Sequence, residues 1–287
     1  MAADAIRVFA PAKINLFLHV GERRADGFHE LESLVAFADA GDALGVAPAE
    51  TLTLALDGPF AKGLEAETDN LVLRAARAFP GAPPAALRLT KNLPVASGIG
   101  GGSADAAAAL RGLAALYPGR AGEKALLEIA ASLGSDIPAC VLSRPLMMRG
   151  RGERLEVLPR CPALNAVLVN PGVAVPTGPV FAALRTRTGL GHAPKAADLA
   201  GAEALIAFLR TARNDLEAPA RALAPAVGDV LGELTRTPGV RLARMSGSGA
   251  TCFGLFADGD AARMAAIALS HSHPGWWVIA TSLNASP

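Results

Sequence analysis

Cysteine is scarce in this chain: Cys140, Cys161 and Cys252 are odd in number and far apart. That spacing excludes a disulfide framework and a C-x-x-C metal pair, and leaves three reduced, buried small residues. An excess of charge of either sign is also missing. The formal net charge is +1 and no run of basic residues occurs, which argues against nucleic acid or an anionic membrane as the main partner. Long apolar runs are absent as well. Hydrophobic residues make up 51% of the chain, yet charges interrupt them before the ~18 consecutive apolar positions that a membrane span needs. Without polar low-complexity tracts or internal repeats, the 287 residues describe a folded chain of one or two domains. A strand candidate already begins near Ile6, so no cleaved signal is expected and a cytoplasmic-type compartment follows.

What the chain does have is glycine concentrated in one place. In Val95-Ala-Ser-Gly-Ile-Gly-Gly-Gly-Ser-Ala-Asp-Ala-Ala-Ala-Ala109, four of the five residues from Gly98 to Gly102 are glycine, and a strong helix former follows directly. Glycines permit positive φ and a close approach to the main chain, while the helix turns free N–H groups and its positive dipole end to the same point. The pattern points to a phosphate. Walker A is excluded, because Gly102 is followed by Ser103-Ala104 and not by Lys-Ser/Thr. The dinucleotide fingerprint fails too, since its third glycine would fall on Ser103. With a net charge so close to zero, backbone amides and a metal must hold the anion.

Strands are expected at Ile6–Phe9 and Ile14–Val20, separated by Pro11, and at Leu34–Ala38, Leu52–Leu56 and Ala86–Thr90. Helices are expected at Asn70–Phe79, Ser103–Leu116 and Glu123–Leu133. Strands come in pairs and do not alternate strictly with helices, so the class reads as α+β. A soft domain boundary falls around residues 159–163. Beyond it come a strand at Ala166–Asn170, helices at Ala200–Leu209 and Ala220–Leu234, and strands at Val240–Ala243 and Cys252–Ala257 around a second glycine turn.

Other clusters could carry chemistry. Lys13 and Asn15 alternate with apolar residues and so share one face of a strand, which alone could be a solvated face. Asp136, in Leu133-Gly-Ser-Asp-Ile-Pro138, sits on a short ordered turn. Gly27-Phe-His-Glu30, Val169-Asn-Pro-Gly172 with Thr177 and Phe181, Asn214-Asp-Leu-Glu217 and Met245-Ser-Gly-Ser-Gly-Ala250 complete the set. The last could be an ordinary hairpin turn.

In this order, Ala12-Lys-Ile-Asn15, Asp26-Gly-Phe-His29, Ser97–Ala107, Leu133–Pro138, Val169–Gly172, Asn214–Glu217 and Met245–Gly249 resemble the motifs of the galactokinase, homoserine kinase and mevalonate kinase (GHMP) superfamily. Within it, the chain is similar to the branch whose acceptor is a cytidine-diphosphate-linked methylerythritol of non-mevalonate isoprenoid biosynthesis. The resemblance implies an α+β, two-domain fold. Residues 1–160 would form an N-terminal ATP-binding domain, like domain 2 of ribosomal protein S5. Residues 161–287 would form a ferredoxin-like C-terminal domain, with the active site in the cleft between the two. It implies transfer of the γ-phosphoryl of ATP, with Mg2+, to the 2-hydroxyl of that acceptor. Carried over by position, Lys13 and Asp136 match the catalytic pair and Asn15 a residue of the acceptor site. Pro94, Ser97, Gly98, Ile99, Gly100, Gly101, Gly102 and Ser103 match the ATP loop and its flank, and Asn70 and Lys91 the lining of the adenine pocket. Phe28 and Phe181 match aromatics that sandwich the cytosine, His29 a residue that hydrogen-bonds it and Thr177 a polar neighbour.

Phe28 stands where the family usually has tyrosine, and Ala104 where a second serine is common; stacking and the backbone amides survive both changes. Another small-molecule kinase of the superfamily, or a ligand sensor on the same fold, are the alternatives. The metal ligands are not identifiable: Asp105 could equally serve the helix dipole, and His271 and His273 lack a third ligand and read as surface residues. Gly189–Asp198 is expected to be a mobile loop near the substrate. Oligomeric state, monomer or homodimer, is open.

Overall fold

The computed structural model describes residues 5–25, 27–62, 64, 70–185 and 189–284. They pack as two compact units that interleave in sequence: one holds residues 1–12, 41–95 and 100–143, the other 13–40, 96–99 and 144–287. Two long strands, β1 (Ile6–Arg23) and β2 (His29–Pro48), contribute residues to both.

In the first unit the C-terminal part of β2 pairs antiparallel with β4 (Ala85–Thr90), from Ala43 opposite Thr90 to Pro48 opposite Ala85. β3 (Thr53–Asp57) runs parallel to β4 on its other side. Four helices belong here: α1 (Leu71–Ala78), α2 (Gly101–Leu116), α3 (Glu123–Leu133) and α4 (Ile137–Leu142). α2 packs on α1 and α4, and its small side chains are the reason it can. Ala104 and Ala106–Ala109 are fully buried, and a Cβ at Gly112 would come within 2.6 Å of Val46 Cγ2, so the helix lies directly on the sheet.

The second unit is built on an antiparallel sheet. β7 (Leu164–Asn170) lies between β10 (Trp277–Leu283) and β9 (Cys252–Phe256), and β8 (Val240–Met245) borders β9. β10 meets β2 at Leu283 opposite Ala38, and β2 pairs with β5 (Leu146–Gly150), itself paired with β6 (Arg154–Val157). α5 (Thr177–Ala182), α6 (Ala202–Thr211), α7 (Glu217–Leu223), α8 (Pro225–Arg236) and α9 (Gly259–Ser272) complete it. Its core joins Val167 and Val169 to Val230, Leu234, Phe256 and Leu269. Among the described residues no helix is long and apolar enough to cross a membrane.

Several expectations need correction. The two strands divided at Pro11 are one strand, since the fixed φ of proline suits an extended chain and its missing N–H costs a single ladder bond. The helix expected over Ala220–Leu234 is two, because Pro225 cannot continue α7 and instead opens α8 at its first position. Strands β5, β6 and β10 and helices α4, α5 and α9 were not anticipated. The burial pattern explains one of the strands: β10 is half-buried along nearly its whole length and lacks a clean alternation, while β6 alternates but is only four residues long.

Arg244 ties the second unit together. Its guanidinium donates from Nη1 to Leu16 O at 2.8 Å and from Nη2 to Leu209 O at 2.8 Å and Ala212 O at 2.7 Å. It thereby satisfies β1 and the carbonyl end of α6 at once. Burial lowers its pKa to about 10 against the opposing pull of Glu217. Arg244→Leu should therefore strand three carbonyls and cost about 3 kcal/mol. Denaturant unfolding followed by the fluorescence of Trp276 and Trp277, both in this unit, checks the loss.

Candidate nucleotide and acceptor site

The start of the glycine-rich loop is held in the second unit by another glycine loop, Ser246–Ala250, which joins the antiparallel neighbours β8 and β9. Thr251 N–H donates to Ser97 O at 3.0 Å, and Lys13 N–H to Ile99 O at 2.9 Å. Ser246 Oγ donates to Gly98 O at 3.2 Å and accepts from Asn15 N–H at 3.1 Å. Gly98 adopts φ +75°, and a Cβ there would lie 2.5 Å from Gly249 O and 2.7 Å from Ser246 O. Gly247 is equally constrained, 2.7 Å from Gly98 O. The hairpin reading of Met245–Ala250 is thus right for its topology, but the turn also forms the bed of the first loop.

Three residues that the motifs contained but that were given no role fix this bed. Asn214 Nδ2 donates to Met245 O at 2.8 Å and Gly247 O at 2.9 Å. Asn170 Nδ2 donates to Thr251 Oγ1 at 2.8 Å, and Ser248 Oγ lies 2.9 Å from Thr177 Oγ1. For Asn170 and Ser248 the signal in the sequence was an Asn or Ser beside a proline or glycine, the mark of a side chain that bonds nearby main chain; Asn214, between Arg213 and Asp215, carried no such mark.

The rest of the glycine run belongs to the first unit. Gly100 takes the N-cap of α2 at φ +65° and has no side chain to cap it. The first-turn amides of Gly101, Gly102 and Ser103 therefore begin a helix without a capping oxygen of its own. Such a terminus suits an anion.

Other anticipated residues fall as follows. Lys13 and Asn15 are buried on β1, and Asn15 Nδ2 donates to Ser33 Oγ at 2.7 Å. Asp136, half-buried, occupies the N-cap position of α4 but does not cap it with its side chain. Asn70 caps α1, accepting from Val72 N–H at 2.8 Å. Pro94 and Ser97 are buried. Lys91 is buried with its ammonium between Asp42 and Asp105, so Asp105 bonds a lysine. Thr177 opens α5. His29 stacks on Phe181, with ring centroids 5.6 Å apart and an interplanar angle of 23°, and its Nδ1 lies 3.4 Å from Gly21 O. Phe28 is 55% exposed with the Arg151 guanidinium 5.4 Å from its ring centre.

Beside Gly21 a cavity of about 410 Å³ is lined by Glu22, Arg23, Arg24, Glu30, Gly189 and Leu190. The loop that begins at Gly189 is anchored there, Gly191 N–H donating to His19 Nδ1 at 3.1 Å. His273 stacks on Trp276 at 3.8 Å, and no group of three or more His, Cys, Asp or Glu that could hold a metal ion is found among the described residues. Asp26 of the motifs lies outside those residues.

Known proteins can now be set beside this geometry. The model of the GHMP kinases N-terminal domain matches residues 70–144, and that of the GHMP kinases C-terminal domain residues 196–272. A 4-diphosphocytidyl-2-C-methyl-D-erythritol kinase of Cereibacter sphaeroides is 55% identical over 94% of this chain and 96% of its own length. One from Paracoccus denitrificans is 53% identical over 96% of each. The crystal structure of a 4-(cytidine 5'-diphospho)-2C-methyl-D-erythritol kinase superposes with a TM-score of 0.81 at 38% identity, covering 98% of this chain and 100% of the other. A homoserine kinase from Cytophaga hutchinsonii, at 20% identity and a TM-score of 0.69 over 98% of this chain and 96% of its own, shares the fold.

The contact between the two glycine loops yields a sharp expectation. Gly98→Ala must push the loop off Gly249 and strain a positive φ, so Mg-ATP affinity should fall at least tenfold, about 1.4 kcal/mol. Isothermal titration of the variant against wild type measures it.

Proposed function

Because the chain belongs to the GHMP kinases, and within them to the 4-diphosphocytidyl-2-C-methyl-D-erythritol kinase family, we infer that it phosphorylates the 2-hydroxyl of 4-diphosphocytidyl-2-C-methyl-D-erythritol with ATP. It is an ATP-dependent small-molecule kinase of non-mevalonate isoprenoid biosynthesis. The observation that carries this reading is identity above 50% along nearly the whole chain with relatives of that name. In linear terms the N-terminal domain is assigned to residues 1–160 and the C-terminal domain to 161–287, and the two matched segments fall one on each side. A cytoplasmic site of action accords with the substrates.

Phosphoryl transfer passes through a loose transition state, in which positioning and neutralisation of charge contribute more than proton abstraction. We assign the phosphates of ATP to the amides of Gly98–Ser103, and the nucleoside end to the neighbourhood of Asn70, Lys91 and Pro94. Mg2+ enters as part of the Mg-ATP substrate, the described residues offering no metal cluster of their own. Asp136 is assigned the role of accepting the hydroxyl proton late, as the bond to phosphorus forms. Lys13 is assigned to balance negative charge on the transferring group, and Asn15 to orient the acceptor.

Recognition of the cytosine is assigned to Phe28, His29, Thr177 and Phe181. Aromatic faces stack on any base, worth about 1–3 kcal/mol each, so the choice of cytosine must come from hydrogen bonds by His29 and its polar neighbours. The stack of His29 on Phe181 supports this reading, because it holds a hydrogen-bonding ring against a stacking one before any base arrives.

Release of ADP from Mg-ATP with 4-diphosphocytidyl-2-C-methyl-D-erythritol, run beside homoserine, mevalonate and galactose, tests the proposal. Turnover is expected with the cytidyl compound alone, and turnover with another acceptor instead would overturn it. Asp136→Asn should lower kcat at least a hundredfold while the Kd for Mg-ATP stays within about twofold. Phe181→Ala should raise the acceptor KM about tenfold or more and leave the ATP KM nearly unchanged; equal effects on both would remove Phe181 from the base site.

A further inference from the structure

Directly behind the first turn of α2, one lysine meets two carboxylates in a buried pocket of the first unit. Lys91 Nζ donates to Asp42 Oδ2 at 2.5 Å and to Asp105 Oδ2 at 2.6 Å, and all three residues are at most 3% exposed. The cluster touches the glycine run itself. A Cβ on Gly101 would stand 3.5 Å from Lys91 Nζ and 3.8 Å from Asp42 Oδ2, and Asp105 lies one helical turn further along α2.

The two acids are not equivalent. Asp42 has further donors, its Oδ1 accepting from Asn92 N–H at 2.5 Å and Leu93 N–H at 2.9 Å. Asp105 meets the lysine through Oδ2, and its Oδ1 is buried without a hydrogen-bond partner among the described residues. One cation between two carboxylates leaves an uncompensated negative charge if both are ionised, and such a charge in a dry site is costly. The acid that gives way is the less well solvated one.

We infer that Asp105 is a positioning residue for nucleotide binding: through Lys91 it pins the first turn of α2 to β2 and to the end of β4, and by its own ionisation it sets the charge behind the glycine-rich loop. The inference rests on the assignment of ATP phosphates to that loop. Protonated, Asp105 leaves Lys91 and Asp42 as a neutral pair; ionised, it places a negative charge behind amides that must receive an anion. Burial raises the Asp105 carboxyl to about 7, with Asp42 adding to the shift and Lys91 opposing it. Lys91 is itself raised, its burial outweighed by the two acids, and so stays charged throughout. The other helices packed on α2 do not compete for this proton: α1 and α3 turn Arg74, Arg77, Glu123, Lys124 and Glu128 to solvent, and α4 brings only the buried Cys140 thiol.

The sign of the effect on stability follows. The folded chain holds a proton that the unfolded chain releases near the ordinary carboxylate value, so Asp105 makes the fold less stable as pH rises from about 4 to about 7, with no further change above that. Nucleotide affinity falls as pH rises through about 7, where Asp105 of the free protein ionises. Asp105→Asn keeps an oxygen for Lys91 and removes the titration. Calorimetric Kd values for Mg-ATP are measured for wild type and variant from pH 6 to 8.5, which cancels the titration of ATP itself, together with Tm at each pH. Wild type should lose about fivefold in affinity relative to the variant over this range, and the Tm advantage of the variant should grow up to about pH 7 and stay level above it. A constant ratio of Kd values overturns the inference even if Tm changes, because a purely structural acid would move Tm alone. No binding of Mg-ATP by wild type overturns the loop assignment as well, so the two failures are distinguishable. Should Asp105→Asn not fold, wild-type titrations at pH 7.5 in buffers of different ionisation heat decide: proton uptake on binding supports the inference and its absence overturns it.

Discussion

A side chain at residue 98 would place a carbon 2.5 Å from the carbonyl oxygen of Gly249, closer than any Cβ can approach, and that exclusion governs how the second unit is organised. Because only glycine fits, the main chain of residues 97–99 lies on the main chain of residues 246–251, fastened by Ser97, Ser246 and Thr251. Everything beneath serves to keep that bed flat. Asn214 spans Met245 and Gly247, Asn170 holds Thr251, and Arg244, one residue before the bed begins, ties β8 to β1 and α6. Main-chain contacts of this kind tolerate little drift, whereas a cradle of long side chains would bend with every rotamer.

The same economy explains how a nearly neutral protein handles a highly charged nucleotide. With 27 basic and 26 acidic residues, it has no surplus of cations to spend on phosphate. The one lysine directly behind the glycine run, Lys91, is engaged by two acids. On the proposed assignment, amides at the open end of α2 do the binding, and their strength is electrostatic, so it depends on what charge lies behind them. A carboxyl one turn into the helix is therefore not a neutral bystander.

Much of this was readable in the residues themselves, and where it was not the reason is physical. The boundaries of α3 and nearly those of α2 were legible in the residues, because short-range propensity decides such segments. Pro11 and Pro225 misled in opposite directions. The first sits in an extended strand, where its φ is acceptable, and the second lies inside a helical pattern, where it forces a restart. The Lys13 and Asp136 motifs gained meaning only as members of an ordered set, since either alone is an ordinary strand or turn. The burial of Lys91 could not be read at all: its partners lie 49 and 14 residues away, and no local pattern encodes a pairing of that range. A hint existed in Asp105, the lone acid of α2, set among the buried alanines Ala104 and Ala106–Ala109, since such an acid must find a cation.

The residues assigned to the base in the proposed function pose a different problem of order. His29 and Phe181 come from β2 and α5, more than a hundred residues apart, yet their rings already stand stacked. Phe28, adjacent in sequence to His29, points instead to solvent under Arg151. A stack formed in advance lowers the entropy that a ligand must otherwise spend on ordering side chains. It also presents a base with a surface that has one polar edge fixed, His29 Nδ1 lying against Gly21 O, which leaves Nε2 as the nitrogen available to a base. The guanidinium over Phe28 adds a cation–π contact of at most about 1 kcal/mol at an exposed site, enough to bias that ring yet weak enough for an arriving base to displace. On the proposed assignment, the discriminating half of the pocket is prepared ahead of the ligand, while the half that only stacks is held loosely, the arrangement expected where hydrogen bonds decide the choice of base and aromatic faces supply affinity.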